Sequence, residues 1–173
     1  TEGSGVASMS TSWIKVLERN LGKRLTGKKI TVINGGVAGS DPFFGFILLK
    51  KRLSAYNPNL VIVELDRSDI DDVIIRGGME RFKPNNAIEY NQGPWYEPLY
   101  GMSYVCRFFI LGVLNYNWLF VKPEDLNDKQ ESALAKLYDC IIRFQDYAQA
   151  NSINLMIVFH PMIEEIISKQ TIM

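Results

Sequence analysis

Three short runs of apolar, mostly β-branched residues constrain this chain more than any other feature. They are Lys29–Asn34, Leu60–Leu65 and Ile153–Phe159, and helix-like segments lie between them. Strands that are apolar along their whole length, alternating with helices, belong to parallel sheets covered on both faces. The expected fold class is therefore α/β, with three α/β/α layers around a parallel sheet. At 173 residues the chain is sized for a single domain.

The segments between the runs give the coarse organisation. Ser10 or Thr11 is placed to cap a first helix reaching about Lys23, with Trp13, Ile14, Leu17 and Leu21 on its apolar face. Ser40 or Asp41 caps a second, with Pro42 in its first turn and Asn57-Pro58-Asn59 after its end near Tyr56. Asp66 to Asp72 reads as a polar loop. Arg76 to Pro98 is rich in Gly, Pro and Asn and reads as a surface excursion or lid. A largely apolar helix is expected from about Leu99 to Tyr116, and a turn over Pro123 to Asn127. Asp128 to Ala150 is expected to be a long helix with Leu134, Leu137, Ile141, Phe144 and Tyr147 on one side. His160-Pro161 ends the last strand and opens a final helix.

Composition excludes some function classes. Apolar residues make up 47% of the chain, too many for global disorder. Nineteen basic and nineteen acidic residues leave no net charge, so binding of nucleic acid through phosphate neutralisation is not expected. The longest apolar run, Tyr104 to Leu114, contains Arg107 and is too short to span a bilayer. Cys106 and Cys140 both lie in apolar stretches and read as buried free thiols.

Ligands of open parallel sheets bind at the carboxyl ends of the strands. Three loops qualify. Asn34-Gly35-Gly36-Val37-Ala38-Gly39 joins a strand to a helix, where backbone N–H groups and small residues suit an anion or oxyanion. A tight turn with no ligand explains the same glycines. The loop is not Gly-x-Gly-x-x-Gly, and no P-loop lysine follows it. Glu64 to Asp72 holds five acids in nine residues, readable as an oxygen-ligand metal site or as a solvated, helix-capping stretch; it does not fit an EF-hand. His160, the single histidine, ends a strand and is a candidate general base or a locally bonded residue.

At these loops the sequence resembles the SGNH, or GDSL-type, serine hydrolases. Thr1-Glu2-Gly3 looks like the tail of that family's Gly-Asp-Ser-x-Thr-x-Gly block. Asn34 to Gly39 matches its Asn-x-x-x-x-Gly turn. Val63-Glu64-Leu65-Asp66-Arg67-Ser68-Asp69 lies where the family has Gly-x-Asn-Asp. The resemblance implies a flavodoxin-like SGNH fold and acyl transfer from a carboxylic ester, such as an acylated carbohydrate or lipid, through a serine acyl-enzyme. It implies Gly39 and Ser68 as oxyanion-hole positions, with Thr1, Gly3, Asn34 and Asp69 supporting the site loops. It implies no cofactor and no metal, and a small-molecule ester as partner. Asp66 and Ser68 depart from the family's Gly and Asn. The implied nucleophile falls two residues before Thr1, and no Asp-x-x-His pair follows the last strand. The chain is therefore expected to be a fragment, inactive by itself. Ser4, in Gly3-Ser4-Gly5, is a rival nucleophile, but no strand precedes it. A non-catalytic binding domain on the same scaffold is one alternative. A nucleotide-binding α/β domain using the Gly39 loop, with Glu64 on a ribose, is another.

Overall fold

The computed structural model describes residue 10 and residues 12–37, 39–85, 87–89, 94–116 and 119–161. Thr1, Gly3, Ser4 and the expected final helix beyond Pro161 lie outside them. So does Thr11; its alternative as first-helix cap, Ser10, is described.

The elements in chain order are α1 (Trp13–Arg24), α2 (Pro42–Lys51), β1 (Leu60–Leu65), α3 (Ser68–Arg76), α4 (Glu97–Met102), α5 (Tyr104–Phe108), α6 (Pro123–Ala150) and β2 (Asn154–Phe159). Short 3-10 turns cover Leu53–Tyr56 and Met79–Arg81, and a π turn covers Phe109–Val113. The chain is an α/β protein. β1 and β2 pair in parallel, with Leu60 opposite Asn154 and Leu65 opposite Phe159. His160 continues the ladder by donating its N–H to the Leu65 carbonyl at 2.8 Å.

Side chains alternate across a strand. Val63 and Leu65 are buried, and Val61, Leu155 and Ile157 pack with them. Phe43, Phe46 and Leu49 of α2, Val73 of α3, and Ala133, Leu137, Cys140 and Phe144 of α6 complete this core. Phe46 meets Phe144 edge-on, with ring centroids 5.2 Å apart. The other face carries Leu60, Ile62, Glu64, Met156 and Val158, all exposed among the described residues.

Several expectations are corrected. Lys29–Asn34 forms no strand; the Val32 N–H goes instead to the Glu18 carboxylate of α1 at 2.7 Å. β-branched residues favour a strand only where a neighbour completes the ladder. Ser12, not Ser10, stands at the N-cap of α1, and its side chain makes no capping bond. α2 stops at Lys51, and a 3-10 turn carries the chain to Tyr56. Asp66 to Asp72 is not a loop: Ser68 starts α3, whose Val73 is buried with Ile70 and Ile74 against the core. The stretch Leu99 to Tyr116 breaks at Ser103, whose side chain caps α5 by accepting the Cys106 N–H. Pro123 to Asn127 is the first turn of α6, because proline fits N1 and Glu124 and Asp125 favour the helix start. The buried stripe of α6 runs Ala133, Leu137, Cys140, Phe144 and Ala148, and Leu134 faces outward.

Cys106 and Cys140 are both free thiols, but only Cys140 is fully buried. Burial pushes the Cys140 thiol up to about 12, with nearby Asp41 adding to the effect. A thiol reagent at pH 8 is expected to modify Cys106 in the folded protein and Cys140 only after unfolding in urea. Equal rates at both would contradict this packing.

Candidate functional site

The loop that leads into α2 is tied by side chains to α3 and to the segment after it. This loop begins at Asn34, whose Oδ1 accepts the Gly36 N–H at 2.9 Å in a side-chain-closed turn. It ends in a second turn, in which Val37 O accepts from Ser40 N–H at 3.1 Å and from Ser40 Oγ at 2.6 Å. Gly39 stands there at φ +64°, a left-handed conformation that disfavours side chains. Asp41 then caps α2, its Oδ1 accepting the Phe44 N–H at 3.1 Å.

The second loop is one residue and a helix start. Asp66 Oδ1 accepts from the Ser68 N–H at 2.6 Å and from the Ser68 hydroxyl at 2.5 Å. The Asp66 N–H in turn donates to Asp69 Oδ2 at 2.8 Å. Asp69 is buried, and this burial pushes its carboxyl up to about 7. The Asp66 N–H opposes the rise, and the charges of Asp66, Asp72 and Asp41 add to it. Burial also raises the Asp72 carboxyl, against the pull of Arg76.

Two arginines make these ties. Arg76, at the end of α3, donates from Nη1 to the Gly39 carbonyl, while its Nη2 lies 3.4 Å from Asp72 Oδ1. Arg81 is buried with Asp41: Nη2 donates to Oδ1 at 2.7 Å and Nη1 lies 2.6 Å from Oδ2. Nη1 also donates to the Gly77 carbonyl at 2.9 Å, and the guanidinium stacks 4.6 Å from the Phe82 ring. Sequence reasoning missed Arg81. Its one local signal is an arginine between the turn-forming Gly77-Gly78 and the aromatic Phe82.

Gly39 is tied to the far end of α3 through Arg76, whereas Ser68 and Asp69 open that helix at the carboxyl end of β1; the Asn34 Oδ1 bond stays within its own turn. His160 reaches the same end through its backbone bond to Leu65, with its side chain exposed. Glu64 lies on the exposed sheet face, and no contact with the Gly39 turn supports its role on a ribose. Among the described residues no group of three His, Cys, Asp or Glu side chains is arranged to hold a metal ion, so the acidic stretch gives no support to the metal reading. A groove of about 580 Å³ beside α6 is lined by Phe43, Met79, Glu80, Lys136, Asp139 and Arg143 among others, and includes none of these site residues. Its charges pair off locally, Lys136 with Glu80 at 2.5 Å and Arg143 with Asp139 at 2.7 Å. No helix among the described residues is long and apolar enough to cross a membrane. Comparison with family models, curated protein sequences and solved structures gives no significant match.

Two predictions test the network. Arg81→Met leaves Asp41 buried without its countercharge and is expected to cost about 3–5 kcal/mol in urea unfolding, with Asp41→Asn in the same chain restoring part of the loss. A loss under about 1 kcal/mol would show that the pair is dispensable. Asp69 titrates near 3.8 when unfolded and about 7 when folded, so between those values the folded state holds the extra proton. Its contribution is complete below pH 4, falls as pH rises towards 7, and is level above. Asp69→Asn is expected to flatten that slope and to be the more stable form at pH 8, by on the order of 1–3 kcal/mol. An unchanged slope would remove Asp69 from this role.

Proposed function

We propose that this chain is the scaffold part of an SGNH-like hydrolase acting on carboxylic esters. The observation that supports this reading is the bond that ties the Gly39 turn, which leads into α2, to Arg76 at the end of α3, with Asp41 beside it near enough for its charge to act on Asp69. The two blocks stand in the family's order, on the segments that lead into α2 and α3. The flavodoxin-like, three-layer form of the fold belongs to the same proposal.

The chemistry follows from the donors. A tetrahedral intermediate needs N–H or O–H groups aimed at its oxyanion. Gly39 N–H is one such donor, in a turn closed by the bonds of Ser40 to the Val37 carbonyl. Ser68 is a weaker second, because its hydroxyl is held by Asp66 Oδ1 and must turn away to reach a ligand. Asp69 orders the loop through the Asp66 N–H, as a support and not as a reacting group. The reading requires a serine nucleophile and an Asp-x-x-His pair from outside residues 1–173. His160 remains a weaker base candidate.

The bond between Ser68 and Asp66 also favours a second reading, a non-catalytic binding domain on the same scaffold. Turnover separates the two. The full-length protein carrying this chain is expected to hydrolyse p-nitrophenyl acetate, and residues 1–173 alone are not. Ser68→Asn in the full-length protein is expected to raise kcat, because an amide reaches further than a hydroxyl and replaces a donor normally worth roughly 10²–10³ in rate. A lower or unchanged kcat would take Ser68 out of the oxyanion hole. No turnover of any short acyl ester by the full-length protein would favour the binding domain.

A further inference from the structure

The Gly39–Ser40 peptide is bonded on both sides. Its carbonyl accepts from Arg76 Nη1, and its N–H donates to Val37 O at 3.1 Å. That peptide therefore cannot rotate without breaking one bond or the other. The preceding peptide carries the Gly39 N–H, and among the described residues no acceptor takes it. The clamped carbonyl restrains ψ of Gly39, which removes one of the rotations that set the direction of that N–H.

Arg76 is itself held. Asp72 stands one helical turn before it on α3, with Oδ1 3.4 Å from Nη2. This is the i, i+4 spacing that places two side chains on one helix face. Gly77 follows at φ +85°, with its N–H closing on Val73 O at 2.9 Å, so the helix ends directly at Arg76. The guanidinium fork can serve a carbonyl and a carboxylate at once, which an ammonium at one point cannot match. Arg76 and Gly39 lie 37 residues apart in sequence, so their bond fastens the glycine turn to a helix packed in the core.

We propose that Arg76, braced by Asp72, is a positioning residue that holds the Gly39 amide in place as an oxyanion donor. The role of that amide rests on the hydrolase reading above; the clamp itself does not.

The test uses the full-length protein carrying this chain, with Arg76→Ala, Arg76→Lys and Asp72→Asn. Two quantities are read: kcat and KM on p-nitrophenyl acetate, and the steady-state heteronuclear NOE of the Gly39 and Ser40 amides. Arg76→Ala is expected to lower kcat about 10- to 100-fold with KM within about twofold, and to lower both NOE values. Arg76→Lys keeps one donor for the Gly39 carbonyl and is expected to recover part of kcat. It also replaces the alanine variant if that one does not fold. Asp72→Asn is expected to fall between wild type and Arg76→Ala. Wild-type kcat and unchanged NOE values in Arg76→Ala would overturn the proposal. Loss of kcat that the lysine variant does not relieve at all, with the Gly39 NOE unchanged, would overturn it too, since the effect would then not pass through the turn. Absence of turnover in the wild-type protein would overturn the oxyanion role along with the hydrolase reading, and the NOE values would still report whether the clamp exists.

Discussion

The buried ion pair between Asp41 and Arg81 is the constraint on which the rest of this site depends. A carboxylate and a guanidinium removed from water lose several kcal/mol of hydration each, and only close, well-aligned pairing offsets that loss. Both charges here are almost fully buried, and the guanidinium is shared between Asp41, the Gly77 carbonyl and the Phe82 ring. Asp41 is at the same time the cap of α2. One carboxylate thus fixes the start of a core helix and the end of the glycine loop just before it. Arg81 comes from the segment after α3, so the pair also decides where that segment returns to the core.

Around this pair the remaining acids sort by partner. Asp72 has Arg76, and Asp41 has Arg81. Among the described residues Asp69 has no cation of its own; it has the Asp66 N–H and lies buried near three other carboxylates. Burial is the main cause of its raised carboxyl, and the neighbouring charges add to it. A protonated Asp69 relieves the repulsion, and an ionised one strengthens the bond from the Asp66 N–H.

Local signals made part of this legible in the sequence. Asp41 followed by Pro42 and an apolar run is a helix start with a mechanism, and it formed as read. Two of the three apolar runs became paired strands, within a residue of their expected bounds. The third run has the same composition, but the Val32 N–H went to Glu18 and not to a strand; that choice is tertiary and no window of sequence contains it. The error at Asp66 to Asp72 was avoidable. Ile70, Val73 and Ile74 carry the helical spacing, and acids in a first turn favour a helix start as readily as a loop. Arg81 and the Arg76 clamp were not legible, since each joins residues about forty positions apart. The position of Asp66 and Ser68 just after β1 was legible because it follows from the order of elements, whereas the partners of their side chains follow from packing.

In the hydrolase reading the Gly39 turn serves a serine nucleophile. The most direct measurement is intact-mass analysis of the full-length protein after treatment with a fluorophosphonate. One stoichiometric adduct on a serine is expected, formed at a rate that falls when the Gly39 turn is disturbed by Gly39→Val. A protein that takes up no adduct while remaining folded, or one labelled equally fast with and without that substitution, would contradict it.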